Sequence, residues 1–499
     1  MKRRFPFRWP VRFGLNPVLV KELRQAVRSR FVAAALLLFL LVQVGGTGIM
    51  LVVRNLAGIE NYSALFEAGR MMFHMLFAVL TAACLLFIPA YTGVRLAAER
   101  RQDNLDLLYI TAIRPPAVIR GKQFAGAVIA LLLFGASAPF MSFTYLLRGI
   151  DLPSIFVALA AGFLVIQVMI LAAIFVACIP ASRVFKSLLG VAMLISIFWA
   201  ITLLNVWAAH VVETGVGSTL RSGDFWKAAA SSLGLGGTAA GFLYVLSVAA
   251  ISPSSANRAL PVRAYATGAW LCWGVVAGIL SARQGDLDVM GGWLVFGLVL
   301  AGAGLFIGVG ENETISARVR RAIPRRAIWR APAFVFWSGP AGGVVWAALL
   351  AASTIGFYHL WGSSLRARTG YGSSQPDETV MIVVALFLHL FGYAMTAVFL
   401  WRWLLKNRLP PSSRGVTAML LVAAGAILPV ALALAFNKFS ITSPSLDRWY
   451  YLGNVAAVFE KSCRGKHIIA AGVLAVVMTG LNLPWFGRQI RAFKPLREK

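Results

Sequence analysis

Two Gly-Lys pairs are the first residues that could do chemistry: Gly121-Lys122-Gln123 and Gly465-Lys466-His467. A phosphate-binding loop needs G-x-x-x-x-G-K-[ST], so that backbone N–H groups and the lysine hold phosphate while the hydroxyl meets Mg²⁺. Neither pair is followed by Ser or Thr, so the chain is not expected to bind ATP by that route. No H-E-x-x-H pair offers a zinc-dependent hydrolase. Ser137, in Gly135-Ala136-Ser137-Ala138 before Pro139, sits among small residues of an apolar run and reads as helix packing. The four cysteines, Cys84, Cys178, Cys272 and Cys463, form no C-x-x-C. Three lie in apolar runs as small hydrophobes, so no disulfide framework and no zinc site are expected. His74 and His389 also fall in apolar runs, where a lone His is more often packed or bonded to a neighbouring helix than functional. The expectation is no catalytic residue, no metal and no cofactor in this chain.

The elements that carry these residues are membrane helices. Of the 499 residues 59% are hydrophobic, against about 45–50% in soluble domains. Charged residues are 13%, near half the usual share of about 25%. That composition excludes a soluble enzyme, a disordered chain and a disulfide scaffold. The start, MKRRFPFRWPVRF, is basic but leads into no short apolar core with a cleavage site, so it is not read as a signal peptide. Runs of about 20 apolar residues occur near 31–53, 71–94, 123–147, 154–178, 188–207, 229–251, 265–282, 291–309, 341–361, 379–401, 416–436 and 468–487. The expected fold is an all-α polytopic integral membrane protein of about twelve transmembrane helices. Gly297, Gly302, Gly304 and Gly308 in the eighth run include one G-x-x-x-G, a close-packing signal.

Twelve spans place both termini on one side, and charge says which. Of the 47 Lys and Arg, 34 fall in connections on the N-terminal side and 13 on the other. The basic side is therefore expected to be cytoplasmic. The net charge of +29 is then an orientation signal, with no nucleic-acid partner implied. No Asp, Glu, Lys or Arg lies within the spans so drawn, which weakens a proton-coupled transporter. The longest connection on the basic side, 310–340, is too short for an enzymatic domain.

Two segments on that side carry information. The first, within residues 1–30, is Asn16 to Arg30. Asn16 can cap a helix and Pro17 suits its first position. Leu19, Leu23, Ala26, Val27 and Arg30 share one face, with Lys21, Arg24, Gln25 and Arg28 opposite. That pattern predicts a basic amphipathic helix lying in the membrane interface, either as a lipid anchor or as an elbow that also touches a partner. The second is Ala98 to Phe124. Asn104 can cap a short helix, Leu105 and Leu108 form an apolar i, i+3 pair, and Pro115-Pro116 ends the unit. Such a helix, continuous with two spans, suits docking into a groove on another protein.

These residues resemble the permease subunits of ATP-binding-cassette (ABC) transporters of the type-2 permease family. That family has an N-terminal interfacial helix, and after its second span E-x-x-x-G-T-L-[ED]-L-L, then T-P or similar, then G-K entering the third span. Here stand Glu99, then Asp103-Asn104-Leu105-Asp106-Leu107-Leu108, then Thr111, Pro115, Gly121 and Lys122, with Asp103-Asn104 in place of Gly-Thr. The resemblance covers about residues 15–260. It implies a transmembrane subunit, an exporter in the cytoplasmic (inner) membrane, worked by a separate ATPase that binds the ATP. It also implies that Glu99, Asp106, Leu107, Leu108 and Thr111 belong to the ATPase-coupling contact near 99–111, and that Lys21, Glu22 and Arg24 lie on the elbow helix. Residues 31–263 would be the six-span permease domain. Residues 264–487 would be a second six-span region, read as a degenerate second half, before a basic cytoplasmic tail at 488–499. In both halves the long connection after the second span runs acid first, then basic with proline: Glu99 to Pro115, and Glu311 and Glu313 to Arg326. Without that repeat the functional unit would be a homodimer. Arg318, Arg320, Arg321, Arg325 and Arg326 read by default as a site for anionic lipid. The alternative classes are an ATP-independent secondary transporter and a non-transporting membrane scaffold or assembly subunit.

Overall fold

The structure is a computed structural model. It describes residues 16–56, 62–101, 114–147, 149–179, 183–253, 255–285, 287–369, 378–406, 413–435, 451 and 453–496. Among these there is no β-strand. Twelve helices are long and apolar enough to cross a membrane, one for each expected run. The protein is an all-α, multi-pass membrane protein.

The chain divides into two compact units, Met1–Ser252 and Pro253–Lys499. The first opens with α1 (Pro17–Val27) and continues through six spans: α2 (Arg30–Leu56), α3 (Tyr62–Arg101), α4 (Pro115–Leu146), α5 (Leu152–Cys178), α6 (Arg183–Thr214) and α7 (Gly223–Ile251). The second holds α8 (Ala259–Gln284) and α9 (Asp288–Val309), two short helices α10 (Ala317–Ala322) and α11 (Ala327–Phe336), then α12 (Pro340–Thr369), α13 (Glu378–Leu400), α14 (Ser413–Ala435) and α15 (Arg464–Ala492).

Local chemistry sets the helix starts. The Asn16 side chain accepts the Val18 N–H at 3.0 Å, with Pro17 in the first turn of α1. Pro115 and Pro116 open α4 instead of standing before it, so the third span begins well ahead of residue 123 and takes Gly121 and Lys122 into a helix. Ser222 caps α7 and Ser316 caps α10 through their hydroxyls.

Inside the first unit α3 is central. Its Met72, Phe73, Leu76, Leu80, Cys84 and Ile88 are buried at helical spacing. In the second unit α9 and α12 cross closely because glycines permit it. A Cβ on Gly308 would lie 2.9 Å from the Gly343 Cα, and one on Gly304 would collide with the Trp346 ring. Trp270 of α8 donates its indole N–H to Thr354 of α12 at 2.8 Å. The outer surfaces are apolar, with Leu38 and Leu41 of α2 and Val473 and Val476 of α15 facing outward. Such surfaces would be costly in water and are unpenalised in hydrocarbon.

The two units use the same neighbour set. Numbering each unit's spans in order, the first packs on the second and third, and the second on the third, fourth and fifth. The fourth packs on the third, fifth and sixth, and the third also meets the sixth.

Candidate functional site

The site is a cluster of charges where α1 meets α3 and α4. α1 carries two bases, Lys21 and Arg24, and one acid, Glu22. The amphipathic pattern puts Leu19, Leu23, Ala26, Val27 and Arg30 on the face expected in the membrane interface. Against the protein itself α1 buries a different set: Val18, Glu22 and Ala26 are buried, while Leu19 and Leu23 are half-buried and Val27 is exposed. The reason lies on α4. A Cβ on Gly121 would stand 2.7 Å from the Val18 Cβ, so the missing side chain lets α1 cross α4 in direct contact. The Asn16 amide donates to the Ala117 carbonyl at the same crossing.

That crossing brings Glu22 onto Lys122, the residue next to Gly121. Lys122 is 2% exposed. Its Nζ lies 2.7 Å from a Glu22 carboxylate oxygen and 2.8 Å from a Glu99 oxygen, and Lys21 reaches the other Glu99 oxygen at 2.9 Å. Two lysines and two glutamates thus alternate, Lys21–Glu99–Lys122–Glu22, with no net charge. An unpaired buried ammonium would cost several kcal/mol, and here two carboxylates hold it. One turn before Glu99, Arg95 donates to Gln25 of α1 and to the Tyr91 hydroxyl, with its guanidinium 5.1 Å from the Tyr91 ring centroid.

α3 ends at Arg101 and α4 begins at Pro115, so this clamp grips both ends of the connection at 102–113. Asp106, Leu107, Leu108 and Thr111 lie on that connection, outside the described residues. Of the expected site residues, the structure brings together Lys21, Glu22 and Glu99 and leaves Arg24 exposed. Sequence reasoning missed Lys122 as a site residue by placing it in a loop. The available signal was a lysine one residue past Pro-rich and Gly positions, with a single acid on the neighbouring basic helix.

The second unit also pairs the acids that follow its second span. Glu311 accepts from Arg263 of α8 at 2.5 Å and from the Gly339 N–H at 2.6 Å. Arg263 donates further to the carbonyls of Val335 and Trp337 at 2.9 and 2.7 Å. Burial pushes the Glu311 carboxyl above the usual carboxylate range, opposed by Arg263 and the Gly339 N–H. Glu313 meets Arg414 of α14 at 2.6 Å and the Trp485 indole N–H at 3.0 Å, while Arg414 lies 4.7 Å from the Trp401 ring centroid. The spans as drawn from sequence hold no charge. The helices themselves are longer and carry buried Lys122, Arg263, Arg414 and Arg464 at their ends, each neutralised by a carboxylate.

The remaining polar features pack. Ser137 donates to the Phe134 carbonyl at 3.0 Å in its own helix, and the His389 ring meets the Ala385 carbonyl at 2.9 Å. Among the described residues no three His, Cys, Asp or Glu side chains converge as a metal site. The chain matches no protein-family model, no curated protein and no solved structure. What the clamp can do is mechanical. It joins α1 to α3 and α4 through ion pairs between side chains, so the three helices are held to one another.

Proposed function

We propose that this chain is the membrane-spanning permease subunit of an ATP-driven ABC exporter, coupled through residues 102–113 to a separate ATPase subunit at the cytoplasmic face of the inner membrane. The observation that carries the reading is the Lys21–Glu99–Lys122–Glu22 clamp, which ties the elbow helix to both ends of the connection bearing the leucines. An ATP-driven lever needs such a joint, because docking energy moves the bundle only if the docked segment is rigidly continuous with spans. Glu99 takes part in that joint, while Asp106, Leu107, Leu108 and Thr111 form the docking surface. The chain itself supplies no catalytic group. The shared neighbour set of the two units supports one chain providing both membrane halves.

The test is co-expression with the ATPase subunit. Replacing Leu107 and Leu108 by Asp is expected to abolish ATPase capture while the purified chain keeps its melting temperature. Undiminished capture rejects the docking role, and transport by the purified chain alone on an ion gradient rejects the whole reading. Sidedness is checked by cysteine labels. Ser63, Gly217 and Ser373 positions are expected to react from outside, and Ser182 and Ser412 positions to be protected.

A further inference from the structure

A groove of about 950 Å³ runs between α2 and α3, beside the clamp. Its hollow comes from small side chains on both helices, Ala34 and Ala35 on α2 and Ala83 and Ala90 on α3. Phe31 and Phe87, with ring centroids 5.4 Å apart, form one edge. On α2 the lining runs from Phe31 to Val42, about 17 Å at ~1.5 Å per residue. That length is close to the depth of one leaflet of a hydrocarbon core about 30 Å thick.

Only one end of the groove is polar. Gln25 and Ser29 line it there, with Tyr91 and Arg95. Arg95 is the one ionisable lysine, arginine or acid on the lining, and it pairs with no carboxylate among the described residues. Phe87, Tyr91, Arg95 and Glu99 follow one another at four-residue intervals on α3, so the cationic end of the groove stands one turn from the clamp. A long apolar slot of leaflet depth with a single arginine at its interfacial mouth is complementary to an amphiphile with an acyl chain and an anionic head.

We propose that this groove holds one anionic phospholipid of the surrounding leaflet, its phosphate on Arg95 and its acyl chain along Ala35 and Ala90, bracing α1 against α3. The site is independent of the permease reading and needs only the membrane-embedded bundle. The probe is phosphatidylglycerol, against phosphatidylcholine of the same chains, added to the purified full chain and read by native mass spectrometry. A single phosphatidylglycerol is expected to be retained roughly fivefold over phosphatidylcholine, the preference one cation gives at an anionic surface. Arg95→Gln should remove that preference and Arg95→Lys should restore it, which separates lost charge from lost fold. Ala90→Phe, which fills the slot and keeps Arg95, should lower retention of both lipids, and Arg120→Gln on α4 should change nothing. A phosphatidylglycerol with a photoactivatable acyl chain should label residues 31–42 and 79–94. Equal retention of the two lipids, a preference that survives Arg95→Gln, or labelling spread evenly over the bundle overturns the proposal.

Discussion

In the first unit the acid at the end of the second span, Glu99, is held by two lysine side chains. In the second unit the acid in the same place, Glu311, is held by Arg263 and a backbone N–H, while Arg263 also binds the carbonyls of Val335 and Trp337. The spans around them pack in the same neighbour pattern. The difference lies in what the charge is tied to. A side-chain clamp between a peripheral helix and two spans can move as a body. An arginine spread over backbone carbonyls locks a connection to its own bundle. The first unit thus ties its acid to side chains on two other helices, and the second ties its acid into the backbone of a connection.

The largest effects should come from removing the buried bases. Lys122→Met leaves Glu22 buried without its partner, and a loss of about 3–5 kcal/mol is expected in denaturant unfolding of the purified chain. Adding Glu22→Leu should recover most of it, because an apolar pair of similar volume replaces a buried ion pair at little cost. Arg263→Met should cost as much, but adding Glu311→Leu should not recover it. The carbonyls of Val335 and Trp337 stay unpaired, at about 1–3 kcal/mol each. Equal rescue in both units would break the comparison.

A smaller effect sharpens it. Gly121→Ala places a methyl against Val18 and should cost about 1–3 kcal/mol, with faster amide exchange over residues 17–27 and recovery on adding Val18→Ala. Amide exchange confined to α4, with α1 unchanged, would deny that Gly121 seats the elbow helix. The smallest effects belong to the rim. Lys21→Ala, at a side chain half-exposed to solvent, should cost below about 1 kcal/mol, and Arg24→Ala should leave the melting temperature unchanged.

The twelve spans were legible because hydrocarbon demands about 20 apolar residues in a row, and no tertiary partner is needed to read that. The elbow helix was legible from Asn16-Pro17, since a cap is local chemistry. Its packed face was not. Glu22 looks like a solvent-facing residue until Lys122 is known to stand opposite, about 100 positions along the chain. Lys122 itself looked like a loop residue because Pro115-Pro116 reads equally as the end of one element or the first turn of the next. Gly304 and Gly308 announced close packing, but Trp346 and Gly343 as their partners emerge only from the fold.

Composition and hydropathy by themselves determined that this chain is a bundle of membrane helices, because the cost of an unsatisfied backbone in hydrocarbon leaves few other solutions. They also determined that its charges gather at helix ends. Which of those charges meet was decided by tertiary structure alone: a Coulomb pair depends on distance in space, and the approach of α1 to α4 is set by one absent side chain at Gly121.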